Sequence, residues 1–449
     1  MLLYSPVLGQ VPQQELVAIE GARVHTGERW IDEATVVIRG DRIAEVVPAG
    51  KIELPPQARQ IDGAGLVVTP GFLDAGSTLG MTDRGAAGPT GVAFDGFDRY
   101  DSRRYVDTLR HGVTTLYLTP HNQRGTGPRG SVIRLEHHEG ASFGELIDGP
   151  MALSINLDSE APAIDRLQVI DGLRNTFRAA ERHKEAIEDY EDDLAEYKRL
   201  LEERREAEEE RDEEGGSEEN GQAAAHAPRR QPQRRGDKSP SDHDDANEDE
   251  LEKPDEPDRN PTYEILIDAL EGKLPVRIRA DREEDVLNAI ELAEEFHLDL
   301  ILEGGRGSHR LASRLADLGV PVVLDAMEQS PDEEGPADLI AAFEDVGVQW
   351  TVGSAGLGSN GSRLLASVTY AMASRTTADI DSIEVITSRA AELLGVDNRV
   401  GRLEPGGSAD LVIWEGEPAD PASRVQRVFI QGRTVYLADD DSELAGGRP

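Results

Sequence analysis

The chain has 449 residues, no cysteine and a formal net charge of −41, from 88 acidic and 47 basic side chains. That excludes disulfides, thiolate metal sites and a cysteine nucleophile, and a surface of this sign repels nucleic-acid phosphates and anionic lipid heads. The length suffices for a large barrel plus a second unit, and no run of about 18 apolar residues offers a membrane span.

Only six of the basic residues are lysine. Residues 181–260 hold 30 acidic and 14 basic side chains, so most of the negative excess lies outside that stretch. Such a surface suits a salt-rich cytoplasm or a strong solubility requirement. The start, MLLYSPVLGQ, is apolar but short and lacks a basic n-region. The expected location is therefore the cytoplasm. Export is the alternative, if these residues are the stump of a signal peptide.

Residues 16–68 alternate in short β-branched runs punctuated by glycine: LVAIEGARVHTG, TVVIRGDRIAEVV, GLVVTPG. The far end, 397–437, repeats the style with SADLVIWEG and RVQRVFIQGRTVYL. Both ends together predict one small β-sandwich. Between them lie apolar runs at 112–120, 151–158, 275–280, 298–305, 320–326 and 348–354. Helical patterns separate several of these, such as 283–296 and 308–319. Continuous apolar strands alternating with amphipathic helices predict a parallel sheet covered on both faces. With seven or eight strands, counting 65–75, a closed (β/α)₈ TIM-like barrel over 69–180 and 261–396 is the economical solution. An open doubly wound sheet is the rival, and no Gly-rich dinucleotide fingerprint supports it.

Residues 162–213 read as one long helix, whose extension is 181–213. Leu173, Phe177, Ala180, Ile187, Tyr190, Leu194, Tyr197 and Leu201 share a face, the last five at spacings of 3, 4, 3 and 4. That seam is shorter than the three or four heptads that argue a coiled coil. It packs on its own barrel, on a second copy or on a partner protein. Residues 214–260 carry almost no core formers and read as a disordered acidic insertion.

The stretch GLVVTPGFLDAGSTLGM (65–81) resembles the first barrel strand of the amidohydrolase superfamily, usually written PGFIDAHTHLG. The tail ITSRAAELLGVDNRVGRLEPGGSADLVIWEGEPADPASRVQRVFIQGRTVY (386–436) is similar to the end of imidazolonepropionase-like and dihydroorotase-like members. Residues 112–135 and 274–324 are similar to further strands of the same subgroup. The resemblance implies a (β/α)₈ barrel with a β-sandwich from both chain ends, and hydrolysis of carbon–nitrogen bonds by one or two divalent metals. Those metals activate water and polarise a carbonyl.

Residue by residue, the implied ligands are missing. The strand-one histidine pair falls on Gly76 and Thr78. The strand-five His-Ala-His falls on Arg279-Ala280-Asp281. The strand-six histidine falls on Gly304, the strand-eight aspartate on Ala355, and a subgroup lysine on Arg134. Glycine and threonine do not replace imidazoles, and Arg279 adds a permanent positive charge. No metal site and no cofactor are therefore expected, with zinc at a rearranged site as the alternative.

The other candidates are read both ways. His121, His137 and His138 follow apolar runs at the expected mouth; they form a displaced metal site or are plain loop histidines. His309 opens a helix with or without a catalytic duty. Asp74, Asp281, Glu303 and Asp325 sit near strand ends, for acid–base work or for pairing with Arg279 and Arg134. Those two arginines alternatively clamp an anionic small molecule. The Gly/Ser-rich loop 353–363 binds phosphate or merely connects. The resulting expectation is an amidohydrolase-like pseudoenzyme acting in binding, assembly or regulation. The alternative is an active hydrolase of cyclic amides with a rearranged metal site or none.

Overall fold

A computed structural model describes residues 15–82, 88–120, 124–138, 142–157, 161–215, 251–325, 336–354, 364–373 and 381–438. The expectations for residues 1–10, His121, Ala355, most of the 353–363 loop and most of the 214–260 insertion lie outside the described residues. The chain divides into two compact units, one of 1–178 with 261–449 and one of 179–260.

In the larger unit the two chain ends share a single eight-stranded sheet. The N-terminal part supplies β1 (Leu16–His25), β2 (Trp30–Arg39), β3 (Arg42–Pro48), β4 (Arg59–Asp62) and β5 (Leu66–Pro70). The order is β18-β17-β16-β5-β1-β2-β3, with β4 beside β1; the last three strands are β16 (Leu411–Glu415), β17 (Arg424–Ile430) and β18 (Arg433–Leu437). Val17, Ile19, Val36, Ile38 and Val68 pack with Leu411, Ile413 and Phe429 in one apolar core. Alternation put these residues on a common face, as a half-buried strand requires.

The expected first barrel strand is split. After β5 joins the composite sheet, the chain breaks at Gly71 and continues as β6 (Phe72–Ser77), every residue of which is buried. β6 runs parallel to β7 (Val113–Leu118). Five further parallel neighbours follow: β11 (Leu153–Asn156), β12 (Val276–Ala280), β13 (Leu300–Gly304), β14 (Val322–Asp325) and β15 (Trp350–Gly353).

The all-parallel expectation fails between them. β8 (Gly125–Arg129) runs antiparallel to β11, while β9 (Ser131–His138) runs antiparallel to β7 and to β10 (Ser142–Asp148). Only Gly130 separates β8 from β9. At Gly130 the chain passes from the six-stranded to the four-stranded sheet, and the three residues between β9 and β10 are too few for a parallel crossover, which needs about a dozen, so that pair is antiparallel. The result is a mixed α/β fold with a four-stranded and a six-stranded sheet. The two sheets meet at two seams. At one, Gly130 and the Met151–Ala152 backbone exchange hydrogen bonds of 2.9 and 3.0 Å. At the other, β6 meets the end of β15.

Helices follow the expected pattern. α1 is Ser102–Leu109 and α2 Ala163–Gly215; α3 (Pro261–Leu270) and α4 (Glu283–Phe296) come next. The 308–319 stretch divides into a short 3₁₀ turn, Ser308–Leu311, and α5 (Ala312–Asp317). The remaining helices are α6 (Pro336–Val346), α7 (Leu364–Ala373), α8 (Ser382–Val385) and α9 (Ser388–Leu393). Phe177 of α2 stacks on Phe296 of α4 at 5.2 Å, and Arg174 and Arg178 both reach Glu295 at 2.8 Å. The start of the long helix is thus fixed by an aromatic pair under a charged rim. In the smaller unit Ile187, Tyr190, Leu194 and Tyr197 are half-buried and Leu201 is exposed. There residues 251–260 form neither helix nor strand, and Leu251, Pro254 and Pro257 are half-buried at a spacing of three.

Candidate functional site at the strand ends

The site begins with β12, Val276-Arg277-Ile278-Arg279-Ala280. Val276, Ile278 and Ala280 are buried. A strand alternates its side chains with period two, so Arg277 and Arg279 share the other side. Parallel strands covered on both faces are normally apolar throughout. Two arginines on one face of such a strand need counter-charges, and the next two strands supply them.

Arg277 is buried. Its Nε donates to Glu303 Oε2 at 2.5 Å and its Nη2 to the Ala75 carbonyl at 2.7 Å. The guanidinium lies 4.1 Å from the ring centre of Tyr117, a cation–π contact. Nη1 is buried without a hydrogen-bond partner among the described residues. Arg279 reaches further out. Its Nη1 donates to Glu303 Oε1 at 3.0 Å and Asp325 Oδ1 at 3.1 Å, and its Nη2 donates to Asp325 Oδ2. Asp281 stands 3.8 Å from Arg279 and 3.6 Å from Arg306. Beneath the cluster, Leu73, Ala75, Tyr117, Val132 and Val323 pack against Ala390, Ala391 and Leu394. That core holds the charged layer in place.

Electrostatics here are set by the pairs. Burial alone would raise the Glu303 pKa, but Arg277 and Arg279 beside it hold it below the ordinary carboxylate value. Burial disfavours charge on Arg279 too; Asp325 and Glu303 outweigh it and hold the guanidinium above its ordinary value. Burial also favours the protonated form of Asp325, against the pull of Arg279. The net result leaves its pKa above the ordinary carboxylate value, with the two-point guanidinium contact opposing the burial.

Asp74 plays a separate part. It is fully buried on β6, and its Oδ1 accepts from the Gly76 and Ser354 amides at 3.2 and 2.8 Å. Oδ2 accepts from the Ser354 hydroxyl, which also lies 3.3 Å from the Ser77 hydroxyl. Burial pushes this carboxyl up to about 6, against the opposing hydrogen bonds. Asp74 therefore fastens β6 to the end of β15. Between the same elements Gly76 and Gly353 approach so closely that a Cβ on Gly353 would lie 2.6 Å from the Gly76 nitrogen.

The remaining sequence candidates divide. Arg279, Asp281, Glu303 and Asp325 are brought together, and Gly76 lies against Arg277. Gly304 has a φ of +89° and packs under Asp281, whose Oδ1 would meet a Cβ at 2.6 Å. Thr78 is half-buried just beyond β6 and accepts the Met81 amide through its carbonyl at 3.1 Å.

Arg134 is a correction. It does not join the strand-end cluster, because Asp410, Ser408 and Glu145 hold it at 2.8, 3.2 and 3.5 Å. Its place on β9, antiparallel to β7, turns it toward the composite sheet. His137 packs its ring on Phe143 at 4.9 Å, and His309 is half-buried in the Ser308–Leu311 turn. His138 ends β9.

Sequence reasoning passed over Arg277, Ser354 and Tyr117. For Arg277 a signal existed, since it stands two residues from Arg279 in a strand otherwise apolar.

The residues present do not fit a divalent metal. Such an ion needs several free carboxylates or neutral imidazoles converging on one point. Here Glu303 and Asp325 are already bound by guanidiniums that keep their charge. Among the described residues no group of three or more His, Asp or Glu side chains is placed to hold a metal.

Residues 290–435 match the model of the amidohydrolase family. This stretch is similar to that family. The fold agrees over nearly the whole chain. An amidohydrolase from Thermotoga maritima MSB8 superposes with a TM-score of 0.67 at 21% identity, over 94% of this chain and 100% of that one. A molinate hydrolase superposes with a TM-score of 0.50 at 15% identity, over 94% and 95% of the two chains. No curated protein matches the sequence. The matched segment includes β13, β14 and β15, and so Glu303 and Asp325.

Proposed function

We propose that this chain is an amidohydrolase-fold protein that has given up metal-dependent hydrolysis and acts by binding or assembly. In this reading the two inner sheets form one (β/α)₈ barrel closed at the Asp74–Ser354 seam, and the composite sheet is the sandwich built from both chain ends. One observation carries the functional part: Arg279 spans Glu303 and Asp325 at the ends of neighbouring strands. A guanidinium there blocks the placement of a dication and offers no lone pair of its own. The resemblance puts ligating histidines at Gly76, Thr78, Arg279, Asp281 and Gly304; none of these is an imidazole, and the one carboxylate among them, Asp281, lies 3.8 Å from the Arg279 guanidinium.

The binding surface in this reading is α2. Its stripe Ile187, Tyr190, Leu194, Tyr197 and Leu201 offers an apolar seam to a second copy or a protein partner. The cytoplasm is the proposed location. No helix among the described residues is long and apolar enough to cross a membrane.

Elemental mass spectrometry on purified protein, before and after zinc loading, tests the reading. Near-zero metal together with no turnover on a panel of cyclic amides and N-acyl amino acids is expected. About one tightly held metal per chain, or metal-stimulated hydrolysis, would sink it. Sedimentation of wild type against Leu194→Glu tests the seam, with loss of self-association expected in the variant.

A further inference from the structure

We propose that Arg279, backed by Arg277, is the resident cation of the strand-end carboxylate cluster, supplying permanently the charge that a bound divalent ion would otherwise supply. The inference rests on the reading that metal hydrolysis has been given up, and it adds what replaced the metal.

Charge counting carries the first step. Glu303 and Asp325 are both buried and end adjacent strands paired in register. Two carboxylates buried together do not both ionise without positive charge nearby. β12 supplies two guanidiniums on one face, so the inner cluster holds two positive and two negative groups. That equals the balance of one dication between two carboxylates. A guanidinium does not lose its proton in a protein, so this balance persists at every pH at which the carboxylates are ionised.

Geometry carries the second step. Arg279 touches both acids, with Asp281 as a third at 3.8 Å. Arg277 binds the opposite oxygen of Glu303 and anchors to the Ala75 carbonyl. Its Nη2 stands 2.7 Å from where a Cβ of residue 76 would be, so it fills the volume a strand-one side chain would use. The cluster is thus closed by two side chains of its own strand, and the space for a ligand from β6 is taken.

A consequence follows for a chain stripped of Arg279. Asp325 and Asp281 are then left without their inner cation, and Glu303 keeps only Arg277. The carboxylates present hard oxygen donors of the kind that Mn²⁺ and Ca²⁺ accept. The guanidinium ion itself also fits the vacated position.

Thermal melts of the full chain test this, on wild type, Arg279→Ala and the double variant Arg279→Ala/Asp325→Asn. Each is melted in chelator, then with millimolar Mn²⁺ and, separately, with millimolar guanidinium chloride against a sodium chloride control. Arg279→Ala is expected to melt several degrees below wild type and to recover with Mn²⁺ or guanidinium beyond the sodium control. Wild type is expected to respond to neither. The double variant, neutral again by losing one charge of each sign, is expected to melt above Arg279→Ala and to lose the response.

A cation-insensitive Arg279→Ala overturns the proposal, as does a wild type that gains from Mn²⁺ as the variant does. If Arg279→Ala is insoluble, the double variant decides: a soluble one supports an electrostatic role, and insolubility of both overturns it. Tightly held metal in untreated wild type would instead defeat the functional reading above, so the two failures are distinguishable.

Discussion

Gly76 and Arg277 exclude each other's alternatives. A Cβ on residue 76 would lie 2.7 Å from Arg277 Nη2 and 3.4 Å from Thr119 Oγ1. The absence of a side chain on β6 and the presence of a long cationic one on β12 are therefore a single packing solution, reached across 201 residues of sequence.

That coupling is measurable. Gly76→Ala brings no backbone strain, because Gly76 is outside the positive-φ region; its cost is overpacking, about 1–3 kcal/mol. In an Arg277→Met background the guanidinium is gone, and the same alanine should cost less. A double-mutant cycle by urea unfolding should return a coupling of about 1 kcal/mol or more. Additive effects would show that residue 76 does not press on Arg277.

Arg134 belongs to the joint between β9 and the composite sheet, through Asp410 and Ser408. Arg134→Ala strands the buried carboxylate of Asp410, and breaking a buried pair by removing one partner costs about 3–5 kcal/mol. The expected outcome is a clear drop in the urea midpoint, with the Mn²⁺ response of the Arg279→Ala background unchanged. If instead that response is lost, Arg134 reaches the strand-end cluster after all.

Much of this fold was legible in the chain. The run Glu283–Phe296 has a 3.6-residue apolar rhythm and an acidic first turn, and it is a helix over those residues. The strands of both ends carried their alternation plainly. The β8–β10 stretch was harder to read, because Gly125–Arg129 is a strand without an apolar run and its antiparallel partner, β11, comes from more than twenty residues further along the chain. The candidate site was legible by type and not by partner. Arg279 and three acids stood out as charges in apolar strands. Which acid meets which arginine depends on strand neighbours fixed only by the folded register. The Arg134–Asp410 pair spans 276 residues, beyond any local pattern.

The surface charge makes a further prediction. A formal charge of −41 leaves the folded chain under self-repulsion, and salt shortens the screening length from about 10 Å at 0.1 M to about 3 Å at 1 M. Raising sodium chloride from 0.1 to 1 M should raise the melting temperature. Differential scanning fluorimetry over that range checks it; a flat or falling curve would mean that the paired arginines already balance the surface.

Asp74 gives the sharpest pH test. Its folded-state pKa, pushed up by burial to about 6 from 3.8, means the folded chain holds this proton more tightly than the unfolded chain does. The stabilisation is therefore complete below 3.8 and is lost as pH rises through 6. The shift corresponds to about 3 kcal/mol across that window. Asp74→Asn keeps an oxygen for the Gly76 and Ser354 amides and places an amide toward the serine hydroxyls, with no proton to lose. The difference in unfolding free energy, variant minus wild type, should then grow in the variant's favour between pH 4 and 6.5 and level off above. A difference that stays constant over that range would show that Asp74 is ionised throughout, and that the hydrogen bonds from Ser354 and Gly76 outweigh its burial.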